Sequence, residues 1–201
     1  MTRGTSILVA VVIVLVLVAL VGLVGFLWYV GQWNHVAKLE ETVKEKWGNV
    51  DTALQRRLDL VPNLVNTVKG YASHERELFE NIANARKAYF QPESTVEAKM
   101  ASANRMSGLL SRLLLLQERY PELKANESFV TLQSQLEGTE NRIKFERDNY
   151  NAAVRELNSY VRSFFGAYFA GKREIKTYPY FEAPEEAKTA PEVDFGGDKK
   201  D

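Results

Sequence analysis

Residues 55–75 read QRRLDLVPNLVNTVKGYASHE, and they lie at the centre of a longer apolar stripe. The stripe takes one residue every three or four positions between 47 and 89, and its members are Trp47, Val50, Leu54, Arg57, Val61, Leu64, Val68, Tyr71, Glu75, Leu78, Ile82, Ala85 and Tyr89. This spacing is typical of a long helix that buries one face in a helical bundle. The sequence therefore predicts an all-α fold built around this helix.

Two charged residues lie on the stripe, and a proline lies within its length. Arg57 and Glu75 take stripe positions, which predicts that their charges are partly buried. Pro62 lacks a backbone donor and restricts the residue before it, so we expect a kink near Asp59 or a new helix that begins at Pro62. Gly70 is expected to remain inside the helix, where close packing would explain its presence.

An apolar run without charges, residues 7–30, precedes the stripe. As a helix it would be about 36 Å long, enough to cross the roughly 30 Å hydrocarbon core of a bilayer. The run is too long for the apolar part of a cleavable signal peptide, and no small-residue cleavage pattern follows it. Trp28, Tyr29 and Trp33 lie at its end, where aromatic side chains favour a membrane interface. We predict a tail and an uncleaved transmembrane anchor in residues 1–33, with the lipid bilayer as a partner.

The basic residues near the anchor leave its orientation open. Arg3 precedes the apolar run, while Lys38, Lys44 and Lys46 follow it. With the terminal amine counted, the excess that favours a cytoplasmic C-terminal domain is a single charge. No proline separates the run from the stripe, which favours one helix that continues out of the bilayer.

Two more long helices follow the stripe. Ser94 and Glu97 have the spacing of a capping box, which predicts that a helix begins there. Tyr120 and Pro121 end that helix, and Asn126 is a suitable N-cap for the last long one. The last helix has an apolar stripe with polar members near its middle: Phe129, Leu132, Leu136, Thr139, Ile143, Glu146, Tyr150, Ala153, Leu157, Tyr160 and Phe164. Residues 34–170 are therefore expected to form an antiparallel bundle of the four-helix type.

Four consecutive leucines make one helix apolar on every side. They are Leu113, Leu114, Leu115 and Leu116. A bundle covers one face of a helix, so this run predicts burial against the bundle and, on another side, against a neighbouring molecule. We expect it to contribute to a homo-oligomer.

Four charged residues are candidates for a polar layer inside the bundle: Arg57, Glu75, Glu140 and Arg147. Buried ions must pair, so we expect Arg57 and Arg147 to find carboxylate partners across the bundle, with Glu75 and Glu140 as the candidates. In a structural role this network fixes the register of the helices. The alternative is an acid–base pair in a cleft.

The helical pattern stops at residue 171. Tyr178-Pro179 and two Ala-Pro pairs, with Glu and Lys between them, predict an extended tail over residues 171–201. The side chains by which the tail can dock are Tyr180, Phe181, Val193 and Phe195. Their composition suits contact with another subunit, and the sequence leaves open whether the tail docks on its own chain or on a second copy.

Composition argues against several classes of function. The 26 basic and 26 acidic residues balance, so nothing favours a nucleic-acid partner. Cysteine is absent and there are two histidines, which leaves no thiolate chemistry and no histidine-rich metal site. Residues 166–173 mimic a phosphate-binding loop without its Ser or Thr, and His74-Glu75 lacks the second histidine of a zinc motif. We predict no catalytic, cofactor-binding or metal-binding residues.

Three blocks of the sequence resemble the LemA family of bacterial membrane proteins. They are RRLDLVPNLV (56–65) with the following 68–75, ERYPELKAN (118–126), and Arg147 with Tyr150, Asn151 and Asn158. The resemblance covers nearly everything after the anchor, and it implies a single transmembrane span followed by an antiparallel four-helix bundle. Gly166 departs from the family pattern, in which proline follows the phenylalanine, and we expect Gly166 to end the last helix.

The resemblance implies little about activity. A magnetosome-associated relative is implied in forming or shaping membrane invaginations, and other members lie near genes for membrane-protein quality control. We therefore expect a scaffold or adaptor in the bacterial inner membrane, single-pass and self-associating, with an unidentified membrane-protein partner. The alternative is an accessory subunit or enzyme that uses the buried Arg/Glu cluster.

Overall fold

A computed structural model describes residues 3–182, with side chains at positions 8, 9 and 11–182. The described residues form five α-helices and a short 3₁₀ helix, with no β-strand among them. The elements are α1 (Arg3–Lys69), α2 (Arg76–Tyr89), α3 (Val96–Arg119), the 3₁₀ helix (Pro121–Ala125), α4 (Glu127–Val161) and α5 (Phe164–Lys172). The predicted all-α class, with an apolar N-terminal helix and a bundle after it, is confirmed.

Helix α1 is 67 residues long and changes character along its length. Its N-terminal part contains an 18-residue window with a mean hydropathy of 3.1 and no buried residue, which is long and apolar enough to be a candidate membrane span. From Val36 onward, apolar residues of the same helix are buried at helical spacing. One helix therefore carries both the candidate span and the core stripe.

The chain divides into two compact units. The first combines residues 3–46 with 152–178, and the second combines 47–151 with 179–182. The second unit holds the bundle, whose buried side chains come from four helices: Val50, Leu54, Leu58, Val61, Leu64, Val68, Phe79, Ile82, Ala85, Tyr89, Met100, Ala103, Met106, Leu110, Leu113, Leu116, Phe129, Leu136, Ile143 and Tyr150.

Side-chain contacts define the helix directions in the bundle. Asp51 of α1 contacts Tyr89 of α2, and Leu58 contacts Arg86, so α2 runs antiparallel to α1. The contacts between α2 and α3 and between α1 and α4 give the same result for those pairs. Successive helices therefore alternate in direction, as predicted for an antiparallel bundle.

The stripe from 47 to 89 belongs to two helices, so the prediction of a single helix is wrong. α1 ends at Lys69, and α2 begins at Arg76. Gly70 lies in the connecting turn, and a Cβ there would meet only the carbonyl oxygen of Thr67 at an ordinary 3.5 Å. Close packing therefore does not explain Gly70. The periodicity continues because α2 folds back and turns its apolar face to the same core.

Pro62 interrupts neither the helix nor its stripe. It is exposed inside α1, which continues to Lys69, so the predicted new helix at Pro62 does not exist. Proline removes the donor that would bind the carbonyl oxygen of residue 58. Arg86 Nε donates to this Leu58 oxygen at 3.2 Å, so α2 supplies the missing hydrogen bond.

The predicted N-cap is wrong by one residue for α3 and correct for α4. Thr95 caps α3, because its side chain accepts from the Ala98 amide at 3.2 Å; the predicted cap at Ser94 is therefore one residue early. Asn126 caps α4 as predicted, with Oδ1 accepting from the Phe129 amide at 3.0 Å.

Gly166 lies in the first turn of a helix instead of ending one. α4 stops at Val161, and Ser163 Oγ accepts from the Gly166 amide at 3.1 Å to cap α5. A Cβ at Gly166 would collide with the carbonyl oxygen of Tyr160, so the tight turn between the two helices requires glycine here.

The end of α5 uses a left-handed residue. Glu174 has φ 57°, the Ile175 amide donates to the carbonyl oxygen of Ala170 at 3.0 Å, and the Glu174 amide donates to that of Gly171 at 3.3 Å. These two bonds form a Schellman motif. Ile175 is buried beside it, which directs the chain into the extended segment that follows.

Candidate functional site

A buried arginine links three helices in the middle of the bundle. Arg57 of α1 is 2% exposed. Its Nη1 donates to Glu140 Oε2 of α4 at 2.8 Å and to Ser107 Oγ of α3 at 2.9 Å. Its Nη2 donates to the carbonyl oxygen of Ala103 at 3.0 Å. The structure thus pairs Arg57 with Glu140 across the bundle, as the charge pattern predicts.

The two ends of this ion pair lie in different environments. The Glu140 side chain is 60% exposed, so the predicted burial is found at Arg57 and is wrong for Glu140. Desolvation lowers the pKa of Arg57, while the charge of Glu140 and its hydrogen bond raise it. Arg57 Nε is buried and has no hydrogen-bond partner among residues 3–182. The guanidinium therefore depends on Glu140 for its countercharge.

The other two predicted members of the polar layer do not join it. Glu75 precedes α2, and its Oε1 lies 2.9 Å from Arg119 Nη2 at the end of α3. Arg147 is half-buried and forms no ion pair with the described part of the chain. The pairing fails at Glu75 because α1 has already ended there, which moves residue 75 to the end of the bundle.

A second polar cluster was not predicted. Tyr89 is 1% exposed, and its hydroxyl donates to Asp51 Oδ1 at 2.6 Å. Lys99 Nζ lies 2.8 Å from the same oxygen. Burial raises the pKa of Tyr89, and the hydrogen bond and charge of Asp51 raise it further. The position of Tyr89 on the core stripe could have indicated this cluster, because a buried tyrosine hydroxyl needs a hydrogen-bond partner.

Glu146 is the buried carboxylate of the bundle. Its side chain is 3% exposed, and its Oε1 lies 2.6 Å from Arg142 Nη2, one turn earlier on α4. Asn149 Nδ2 donates to the other oxygen at 3.4 Å. The sequence placed Glu146 on the stripe of the last helix, and a countercharge on the same helix compensates its burial.

A groove of about 700 Å³ lies between α1 and α4. Arg56 and Arg142 supply its charges, and its other lining residues are Asn49, Thr52, Ala53, Leu60, Gln135, Gly138 and Thr139. Arg57 and Glu140 are not among the lining residues, so the groove is separate from the ion pair. No lining side chain is acidic, and the groove therefore holds no carboxylate or imidazole to act as a general base.

The described residues contain no group of three or more His, Cys, Asp or Glu side chains that can hold a metal ion. The chemistry of the two polar clusters is that of interhelical hydrogen bonds. In both, each charge contacts a fixed partner on another helix, which specifies how the helices align.

The leucine run divides between core and surface. Leu113 and Leu116 are buried, Leu114 is half-buried, and Leu115 is 64% exposed. The apolar surface left by the bundle on this run is therefore centred on Leu115.

The extended segment after α5 docks on its own chain through asparagine side chains. In the first unit, Asn158 Nδ2 donates to the carbonyl oxygen of Tyr178, and Oδ1 accepts from the Tyr178 amide, both at 2.9 Å. In the second unit, Asn151 makes the same two bonds with Phe181, at 3.0 and 2.8 Å. The side-chain amides thus replace a strand partner.

Phe181 is the docked member of the predicted tail side chains. It is 3% exposed, and its ring centroid lies 6.4 Å from that of Trp47, whereas Tyr180 is 44% exposed. Phe181 therefore packs within its own chain. Val193 and Phe195 lie outside the described residues.

Comparison with known proteins places these features in a family. The model of the LemA family matches residues 46–195. Protein LemA of Metamycoplasma hominis is 21% identical, with 78% of this chain and 72% of the relative covered. Magnetosome protein MamQ of Magnetospirillum gryphiswaldense is 23% identical over 75% of this chain, and MamQ 2 of Paramagnetospirillum magneticum is 22% identical over 75%. The chain spans 64% and 65% of these two magnetosome proteins.

Proposed function

We propose, from the premise that this chain belongs to the LemA family, that it is a membrane-anchored helical-bundle scaffold or adaptor. It self-associates and organises membrane or membrane-protein partners, in a role such as membrane shaping or membrane-protein quality control. The anchor is single-pass in the bacterial inner membrane.

The observation that carries this proposal is that the two parts of α1 have different surroundings. Its N-terminal part is exposed and apolar, and its later part supplies the core stripe of the bundle without a break in the helix. A soluble protein would leave this apolar surface in water at a high cost in free energy. An anchor joined to a bundle by one helix suits a protein that acts by position in the membrane.

The polar clusters support a structural role better than a catalytic one. Arg57 and Tyr89 are both buried, and each contacts partners on neighbouring helices. The alternative, an enzyme or accessory subunit that uses the Arg57–Glu140 cluster, gains no support from the groove between α1 and α4, because neither residue lines it. We therefore assign the clusters to helix register.

The self-association part rests on Leu115. This side chain is 64% exposed beside half-buried Leu114. Leu115 and Leu114 form a small apolar surface, and a shared membrane raises the local concentration of copies, so that a weak contact suffices. The expected assembly is a homo-oligomer in the membrane plane.

Sedimentation of the detergent-solubilised full-length protein tests the proposal. The wild type should change its mass with concentration across about a hundredfold range, and Leu115→Glu should shift it toward monomer. Val130→Glu is the matched control, since Val130 is 50% exposed on α4. A wild type that is monomeric throughout would remove the scaffold proposal. Equal effects of both substitutions would remove the assignment to Leu115.

A further inference from the structure

Helix α5 exposes an aromatic surface. Phe164 is 86% exposed, Phe165 is 55% exposed and Tyr168 is 53% exposed. Positions 164 and 168 are one turn apart, as are 165 and 168, so the three rings share one side of the helix. Phe169, one turn after Phe165, is buried next to these rings, and Gly166 and Ala170 are buried beside it. The helix therefore has two apolar sides, and the fold of its unit covers one of them.

This surface is continuous with the end of the candidate membrane span. The Phe165 ring centroid lies 5.2 Å from that of Trp28, and the Phe169 centroid lies 5.1 Å from that of Tyr29. Trp28 and Tyr29 end the uncharged apolar run of α1 and are themselves 46% and 39% exposed. An aromatic cluster built from both helices thus sits where the span meets the rest of its unit.

The charges along α5 and its connecting turns are mostly basic, and the nearest acidic residues along the chain are Glu156 and Glu174. Residues 159–173 contain Arg162, Lys172 and Arg173 and no acidic residue. Lys172 Nζ lies 6.0 Å from the Tyr168 ring centroid, and Arg173 lies over the Trp33 ring at 4.9 Å while donating to the Trp33 carbonyl oxygen at 3.0 Å. Aromatic rings beside basic side chains are the combination that favours the boundary between acyl chains and anionic headgroups.

We propose that α5 is a membrane-interface helix. Phe164, Phe165 and Tyr168 insert into the leaflet next to the C-terminal end of the span, and Arg162 and Lys172 contact lipid phosphates. Immersion removes the exposed rings from water, which is favourable in proportion to their apolar area. This inference rests on the anchoring included in the proposed function, and it is independent of self-association.

Spin-label accessibility in the full-length protein tests this placement. The chain has no cysteine, so a single introduced cysteine gives an unambiguous label. Ala167→Cys places the label on exposed α5 and leaves the three rings intact, and Glu156→Cys gives an exposed control on α4. The protein is reconstituted in vesicles of phosphatidylethanolamine and phosphatidylglycerol, and collisions with oxygen and with a nickel chelate are measured. Oxygen partitions into lipid, so the label at 167 should collide more often with oxygen than with the nickel chelate. The label at 156 should collide more often with the nickel chelate.

A second variant ties immersion to the aromatic rings. Phe164→Ser with Tyr168→Ser, added to Ala167→Cys, should move the oxygen-to-nickel ratio at 167 to the value at 156. Both substitutions are at exposed positions, and retained helicity by circular dichroism shows that the fold persists. A water-like ratio at 167 in the parent would overturn the proposal. So would inaccessibility to both reagents with spin–spin broadening, which would assign the surface to a second copy.

Discussion

Arg86 Nε lies 3.2 Å from the carbonyl oxygen of Leu58, the acceptor that Pro62 leaves without a helical donor. A side chain of α2 thus completes the hydrogen bonding of α1 at the point where proline opens it. This relationship explains why α1 tolerates Pro62, and it joins the first two helices of the bundle at a fixed position.

Arg86→Ala should cost more free energy of unfolding while proline is present. In the wild-type background it leaves the Leu58 oxygen unpaired, which costs about 1–3 kcal/mol of unfolding free energy. With Pro62→Ala, the alanine amide takes that oxygen, so Arg86→Ala should cost at least about 1 kcal/mol less. Denaturant unfolding of the four proteins in detergent measures this coupling. Asp59→Asn controls for the 3.9 Å contact between Arg86 and Asp59. Equal costs in both backgrounds would contradict this role.

Glu140→Gln should destabilise the bundle more than Arg57→Met. The first leaves the buried Arg57 guanidinium without a countercharge, and we expect about 1–3 kcal/mol, because exposure of Glu140 screens the pair. The second removes the buried charge and leaves Glu140 in water, so it should be nearly neutral or stabilising. The double variant, Arg57→Met with Glu140→Gln, should be destabilised much less than Glu140→Gln alone. Thermal unfolding of the three variants decides this, and the reverse order would show that Arg57 needs no countercharge.

Tyr89 should make the bundle sensitive to alkaline pH. Burial and Asp51 raise the pKa of Tyr89 above the ordinary tyrosine value of about 10, so the folded state keeps the proton that the unfolded state loses. Its contribution to stability is complete below about pH 10 and declines above it, by up to about 1.4 kcal/mol per pH unit. Tyr89→Phe should flatten this decline between pH 10 and 11, whereas exposed Tyr180→Phe should not. If the stability of Tyr89→Phe and of the wild type declined in parallel above pH 10, Tyr89 would not be the cause of the alkaline sensitivity.

The sequence predicted the buried face of the bundle well, because helical periodicity is a local property. Val50, Leu54, Val61, Leu64 and Val68 are all buried as their spacing predicts. The turn at 70–75 escaped prediction because α2 returns to the same core and the apolar spacing continues in the sequence. In the structure, the stripe member Tyr71 is 41% exposed and its neighbour Ala72 is buried.

The polar contacts were only partly predictable, because a charge on a stripe shows that a partner is needed without showing which one. Arg57 pairs with a predicted carboxylate, while Glu75 pairs with Arg119, which lies off every stripe. Asn151 and Asn158 bind backbone groups. Every residue has a backbone carbonyl, so the sequence does not indicate which one an asparagine side chain will bind.

Asn151→Ala should release the segment around Phe181. The substitution removes both hydrogen bonds to the Phe181 backbone, with an expected cost of about 1–3 kcal/mol. Hydrogen exchange followed by mass spectrometry should show lost protection at Phe181 while the bundle helices keep theirs. Asn149→Ala is the matched control, since Asn149 lies on the same helix and its side chain donates to Glu146 at 3.4 Å instead of to the extended segment. Unchanged exchange at Phe181 in Asn151→Ala would show that the packing of its ring suffices.

Glu174→Gly should stabilise the protein. Glu174 has φ 57°, a conformation that costs a residue with a Cβ about 1–2 kcal/mol and costs glycine little. The Schellman bonds of Ile175 and Glu174 involve backbone groups alone, so the substitution keeps them. Part of the gain is offset because glycine also gains freedom in the unfolded chain, which leaves an expected increase of about 0.5–1 kcal/mol in unfolding free energy. Denaturant unfolding measures it, with Glu174→Ala as the control that should give no such increase. A decrease for Glu174→Gly would mean that the carboxylate itself holds the end of α5 in place.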